Sequence, residues 1–219
     1  MPNRVDATDP QHREHALESA ANAVKAGRLV VMPTDTVYGI GCDAFDNQAV
    51  EALLRAKGRG PDMPVPVLVG SWTTIEGLVR EYTYNMRRLV EAFWPGGLSL
   101  VVNQAPSLPW NLGDTRGTVM LRMPLHPVAI DLLQRTGPMA VSSANKSGQP
   151  PATNVQMAED QLGAEVNTYI DGGEATMGVP STIVDLAGGK PRILREGALS
   201  AEKIGEVLGI SAAELRGEV

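Results

Sequence analysis

What this chain lacks narrows its chemistry first. Its 219 residues hold one cysteine, Cys42, which excludes a disulfide framework and a zinc site built on several thiolates. Three histidines, His12, His15 and His126, are too few for a His-rich metal centre. His12 and His15 share a helical face without a third ligand nearby, so no metal held by protein side chains alone is expected. Three Trp, four Tyr and two Phe leave little material for the aromatic platforms that stack single-stranded bases. No run approaches the ~18 apolar residues of a membrane span, and the opening MPNRVDATDPQHREH lacks the apolar core of a signal peptide. No membrane association and a cytoplasmic location are the expectations. A net charge of −6 argues against a nucleic-acid coat but leaves room for a local basic pocket. Neither a Walker A loop nor a strand-linked G-x-G-x-x-G occurs.

What is present suits one globular domain. At roughly 150 residues per domain the length allows one or two, and 43% hydrophobic residues can build a core without staples. No linker and no internal repeat divides the chain. Glycine (23) and proline (16) exceed their usual joint share of ~12%, which promises many turns. Ala16, Leu17, Ala20 and Val24 follow helical spacing up to Gly27. Leu29 to Met32 reads as a buried strand, and Asp46 caps a second helix with an apolar face of Ala49, Val50, Leu53 and Leu54. Val65 to Val69 reads as a strand that Pro66 demotes to an edge or a bulge. Thr73 and Glu76 form a capping box for a helix through Val79, and another helix covers Thr83 to Phe93. Strands follow at Leu98–Val102, Thr118–Arg122 and Met139–Val141, with a helix at His126–Arg135. Late strands fall near Tyr169, Thr182–Val184 and Arg192–Leu194. Two short helices close the chain, the last with a capping box from Ser211 to Glu214. The alternation predicts one α/β domain over 1–219 with a mixed sheet.

Four loops at strand and helix ends carry polar groups, and each has a plain structural explanation beside a functional one. Pro33 to Gly41 offers two threonines, Asp35 and Tyr38, or simply a polar turn. Arg55, Lys57 and Arg59 suit a helix C-terminus, yet Arg59 lies beyond Gly58, where three cations could also bind a polyphosphate. Ser142 to Gly148 leaves a strand with hydroxyls and an amide. Ser181 to Asp185 and Arg192 to Gly197 form strands that end in arginines.

Taken in order, Pro33-Thr34-Asp35-Thr36-Val37-Tyr38-Gly39, Lys57-Gly58-Arg59, Trp94-Pro95-Gly96-Gly97-Leu98-Ser99-Leu100, Thr118 to Arg122 with Pro124, His126-Pro127, Ser143-Ala144-Asn145-Lys146-Ser147-Gly148, Ser181-Thr182-Ile183-Val184-Asp185 and Ile193-Leu194-Arg195-Glu196-Gly197 resemble the YrdC-like threonylcarbamoyl-AMP synthase family. The resemblance covers about residues 15 to 208 and looks like the family's single-domain form. It implies a twisted, open, mixed α/β sheet with flanking helices around a large, positively charged cavity. It also implies a nucleotidyltransferase that turns L-threonine, bicarbonate or carbon dioxide, and ATP with Mg²⁺ into threonylcarbamoyl-AMP and pyrophosphate. The product feeds threonylcarbamoyl modification of adenosine 37 in tRNAs reading codons that begin with A. A downstream transferase machinery and weak RNA binding are further implied partners.

By the same resemblance, Lys57, Arg59, Thr118, Ser143, Asn145 and Arg195 bind ATP, with Lys57 and Arg59 lining a solvent-filled cavity. Thr36, Arg122, Val141 (through its backbone) and Ser181 bind L-threonine. No general base is evident. The chain departs from the family's pattern at Gly60 for a proline, at Met63-Pro64-Val65 for Asn-Pro-Leu, near Leu68 for a histidine, and at Pro151 for a Ser or Thr. Two alternatives stay open at this level: an RNA-binding module that uses the same pocket without catalysis, and an acyl-adenylate enzyme acting on another amine.

Overall fold

A computed structural model describes residues 2–218. Helix α1 (Pro10–Lys25) starts at Asp9, whose side chain accepts from the Gln11 amide, and stops at Ala26–Gly27. Strand β2 (Val30–Met32) follows, fully buried, and α2 (Asn47–Lys57) is capped by Asp46 as its sequence predicts. The other helices are α3 (Tyr84–Phe93), α4 (Pro127–Thr136), α5 (Val155–Leu162), α6 (Ala201–Leu208) and α7 (Ala212–Arg216). The last carries the predicted Ser211–Glu214 capping box.

The remaining strands are β1 (Asn3–Asp6), β3 (Gly39–Asp43), β4 (Val67–Leu68), β5 (Leu98–Asn103), β6 (Thr118–Arg122), β7 (Met139–Ser143), β8 (Thr168–Asp171), β9 (Thr182–Asp185) and β10 (Arg192–Arg195). They join one ten-stranded sheet in the order β1-β8-β2-β3-β7-β4-β6-β5-β9-β10. Pairings such as β5 with β9 are parallel and others such as β5 with β6 antiparallel, so the sheet is mixed. Alternation along β2 shows how it is packed. Val30 and Met32 join Leu17, Val24 and Leu132 of α1 and α4 on one face, while Val31 joins Ile40, Leu53 and Leu89 on the other. Helices therefore cover both sides of the sheet.

Among the elements that differ from expectation is helix α5 (Val155–Leu162), where no helix was anticipated. Gly39–Asp43, whose first three residues fall in the predicted polar loop, is a central strand between β2 and β7. Its glycines hide the strand pattern but let β7 approach: a Cβ on Gly39 would lie 2.6 Å from Val141 Cγ1. The polar β1 forms by parallel pairing with β8. Pro66 does not mark an edge, because β4 lies between β7 and β6; the proline precedes the strand, and its carbonyl accepts from the Val141 amide at 2.8 Å. The segment Trp72–Gly77 is a 3₁₀ turn capped by Ser71, not a helix capped by Thr73.

Candidate active site

The loop leaving β2 is buried although polar: Thr34, Asp35 and Thr36 are 2%, 2% and 1% exposed. Buried polar groups need partners, and their bonds fix which way each group faces. Thr34 Oγ1 gives its proton to the Val37 carbonyl at 2.6 Å. In its 3.1 Å contact with Thr36 Oγ1 the proton therefore comes from Thr36. Thr36 Oγ1 also accepts from Arg122 Nη1 at 2.7 Å, so what it has left to offer a ligand is a lone pair. Tyr38 donates to Gly173 O at 2.6 Å and accepts from the Gly172 amide at 3.0 Å. Burial pushes its phenol up to about 12, so it stays neutral.

Thr34, Thr36, Val37, Tyr38 and Gly39 form one wall of a cavity of about 390 Å³. The opposite walls come from the ends of β6, β7, β9 and β10 and from the turn after α2. Three arginines, Arg59, Arg122 and Arg195, stand among the lining residues, with no carboxylate and no histidine. Burial lowers the pKa of each from its ordinary value, partly offset at Arg122 by Asp35. Arg195 donates through Nη2 to Ser181 O at 2.8 Å, and the Ser181 hydroxyl lies 2.8 Å from that of Ser99. Arg59 reaches Ser142 Oγ at 3.2 Å. Asn145 donates through Nδ2 to the Lys146 and Gln149 carbonyls at 2.8 Å each; its Oδ1 is buried without a partner.

The four residues linked to threonine by resemblance, Thr36, Arg122, Val141 and Ser181, line this one cavity. Of the six linked to ATP, Arg59, Ser143, Asn145 and Arg195 line it too. Thr118 does not; its hydroxyl donates to Thr115 O at 2.7 Å. Lys57 corrects the expectation of a cavity-lining cation. It is 1% exposed and lies behind the wall, where its ammonium donates to the carbonyls of Ser143 and Asn145, the latter at 2.8 Å. The cause is local: Lys57 is the last residue on the buried face of α2, and the left-handed Gly58 turns the chain so that Arg59 faces the other way. Lys146 returns the contact to Ala56 O at 2.6 Å, and the Ser147 amide to Lys57 O at 2.9 Å. The helix end and the β7 loop are thus clasped from both sides.

Leu68 and Pro151, two positions noted above as departing from the family's pattern, line the cavity, whereas Met63 is exposed. Ser99, Ser142 and Thr34 line it without having been singled out as ligands. For Ser99 the available signal was a hydroxyl set between the apolar residues of β5. Among the described residues no group of three or more His, Cys, Asp or Glu is placed to hold a metal, and no helix is long and apolar enough to cross a membrane.

Comparison with known proteins joins this geometry to a family. The Sua5/YciO/YrdC family model, described as telomere recombination, matches residues 22–197. A Mycobacterium tuberculosis protein (strain H37Rv), provisionally named threonylcarbamoyl-AMP synthase, is 62% identical over 217 residues, 99% of this chain and 100% of its own. The threonylcarbamoyl-AMP synthase of Pyrococcus abyssi is 37% identical over 197 residues, 90% of this chain and 58% of its own. The crystal structure of P. abyssi Sua5 complexed with L-threonine superposes with a TM-score of 0.89 at 35% identity, covering 95% of this chain and 61% of that one. Escherichia coli YciO superposes at 0.79 with 25% identity, covering 90% and 96%. With most of its length matched in sequence and in fold, the chain belongs to the Sua5/YciO/YrdC family.

Proposed function

We propose that the chain is an L-threonylcarbamoyladenylate synthase, a nucleotidyltransferase that makes threonylcarbamoyl-AMP and pyrophosphate from L-threonine, bicarbonate or carbon dioxide, and ATP. One observation carries the reading. Arg122 and Thr36 stand side by side in the cavity, the first with N–H donors to spare and the second with a lone pair. A carboxylate next to an N–H group, the pattern of an α-amino acid or its carbamate, complements that pair. The L-threonine complex of the P. abyssi relative supports it.

The chemistry runs between anions. The threonine amine takes up bicarbonate with loss of water, giving a carbamate. A carbamate oxygen then attacks the α-phosphorus of ATP, and the bond to the pyrophosphate oxygen breaks. Fixed cations near the phosphates offset the repulsion, a role for Arg59 and Arg195, neither of which makes an ion pair among the described residues. The buried Asn145 Oδ1 is an acceptor for an amino group of the nucleotide. With no carboxylate in the lining, Mg²⁺ comes with the triphosphate as part of that substrate. The product would serve modification of adenosine 37 in tRNA through a separate transferase, in the cytoplasm.

Pyrophosphate release with each substrate omitted in turn tests the reading. Release should need ATP, L-threonine and bicarbonate together, and equal release without threonine would sink it.

A further inference from the structure

We infer that Asp35 is a positioning residue for the substrate carboxylate, acting by holding the Arg122 guanidinium in one orientation. The inference rests on the threonine reading above. Arg122, 6% exposed, has each of its three nitrogens held by the protein. Nε donates to Gly96 O at 2.9 Å, Nη1 to Thr36 Oγ1 at 2.7 Å and Nη2 to Asp35 Oδ1 at 2.6 Å. A guanidinium has five N–H groups, so one remains on each terminal nitrogen, as many as a carboxylate takes when both its oxygens bind.

Asp35 does not line the cavity. Its Oδ1 also accepts from the Leu125 amide at 3.0 Å, so one oxygen anchors both the guanidinium and the chain just beyond β6. Asp35 is itself pinned from the other side, its carbonyl accepting from Thr176 Oγ1 and the Met177 amide at 3.0 Å each. Stability alone is a poor reason for this pair, since desolvating two charges offsets most of their attraction. Orientation is a better one. With its charge matched by Asp35, Arg122 meets a ligand as a set of aimed donors, and the uncompensated charge of the cavity resides on Arg59 and Arg195.

Asp35→Asn keeps the shape and an acceptor oxygen but removes the charge. Pyrophosphate release would be measured with threonine varied at saturating ATP, and then with ATP varied at saturating threonine. Asp35→Asn should raise the threonine KM by about three- to tenfold, since the ion pair that aims the guanidinium becomes a weaker bond to an uncharged amide oxygen, while the ATP KM stays within about twofold. Arg122→Lys keeps the charge without the fork and should itself raise the threonine KM about tenfold. In that background Asp35→Asn should add less than about twofold, because the group it orients is gone. An unchanged threonine KM, equal rises for both substrates, or additive effects in the double variant would overturn the inference. So would failure of Asp35→Asn to fold, judged by circular dichroism and thermal unfolding, because Asp35 would then be structural. Wild-type release that needs no threonine would remove the reading beneath it, an outcome distinct from threonine-dependent release that Asp35→Asn leaves unaltered.

Discussion

At the scale of single residues, Lys57 has to be told apart from the cations that line the cavity. Arg59 and Arg195 look into the cavity, whereas Lys57 is spent on two backbone carbonyls behind it. Burial, reinforced by repulsion from Arg59, pushes the Lys57 amine down to about 7 from its ordinary 10.5. Between those values the unfolded chain binds a proton that the folded chain does not, so this group makes stability rise with pH from about 7 upward. Its contribution is complete above the unfolded value and is lost as pH falls through the folded one. Lys57→Met lacks the titrating group. The stability of the parent relative to this variant should therefore grow by about 2 kcal/mol between pH 7 and 9, measured by urea unfolding at constant ionic strength. A gap that stays constant with pH would mean that the amine titrates normally.

At the scale of elements, the junction of β3 and β7 holds the floor of the site together. Gly39 and Val141 both line the cavity, and a Cβ on Gly39 would come 2.6 Å from Val141 Cγ1. Gly39→Ala should destabilise the protein by roughly 1–3 kcal/mol through overpacking. Val141→Ala removes the offending methyl groups, so in the double variant the two effects should fall short of additivity by about 1 kcal/mol. Denaturant midpoints of the four chains decide this, and simple addition would show that the strands relax without the predicted contact. The clasp between Lys57 and the β7 loop belongs to the same scale. It couples the end of α2 to the strand that carries Val141, so the arginine beyond Gly58 and the hydroxyls after β7 share one frame.

For the molecule as a whole, two apolar layers on opposite faces of one ten-stranded sheet support a cavity at the ends of several strands. Ligands that bind only this folded arrangement stabilise all of it. Either ligand alone, ATP or threonine, at a hundredfold above its dissociation constant should contribute about 2.7 kcal/mol. That corresponds to a rise in Tm of roughly 5–10 °C for a chain of this size. Scanning calorimetry with and without ligands measures it. A larger rise with RNA alone than with ATP and threonine would favour the RNA-binding alternative.

Short-range physics is legible before any fold is known. Helical spacing from Ala16 to Val24, the Asp46 cap, the Ser211–Glu214 box and the apolar runs of β2, β5 and β6 all follow from bonds and periodicities spanning a few residues. The ordered motifs also pointed to the loops that surround the cavity. The rest depends on long-range packing. Gly39–Asp43 is a strand because β2 and β7 close on both its sides, and glycine carries no pattern to announce that. Lys57 and Arg59 are two positions apart, yet a left-handed turn sends one behind the wall and the other into the cavity. Asp35 finds Arg122 across 87 residues of chain, a pairing set by the arrangement of strands in the sheet. Local backbone chemistry fixes where elements begin and end; which face a side chain meets, and which charge answers it, depends on contacts between segments far apart in the chain.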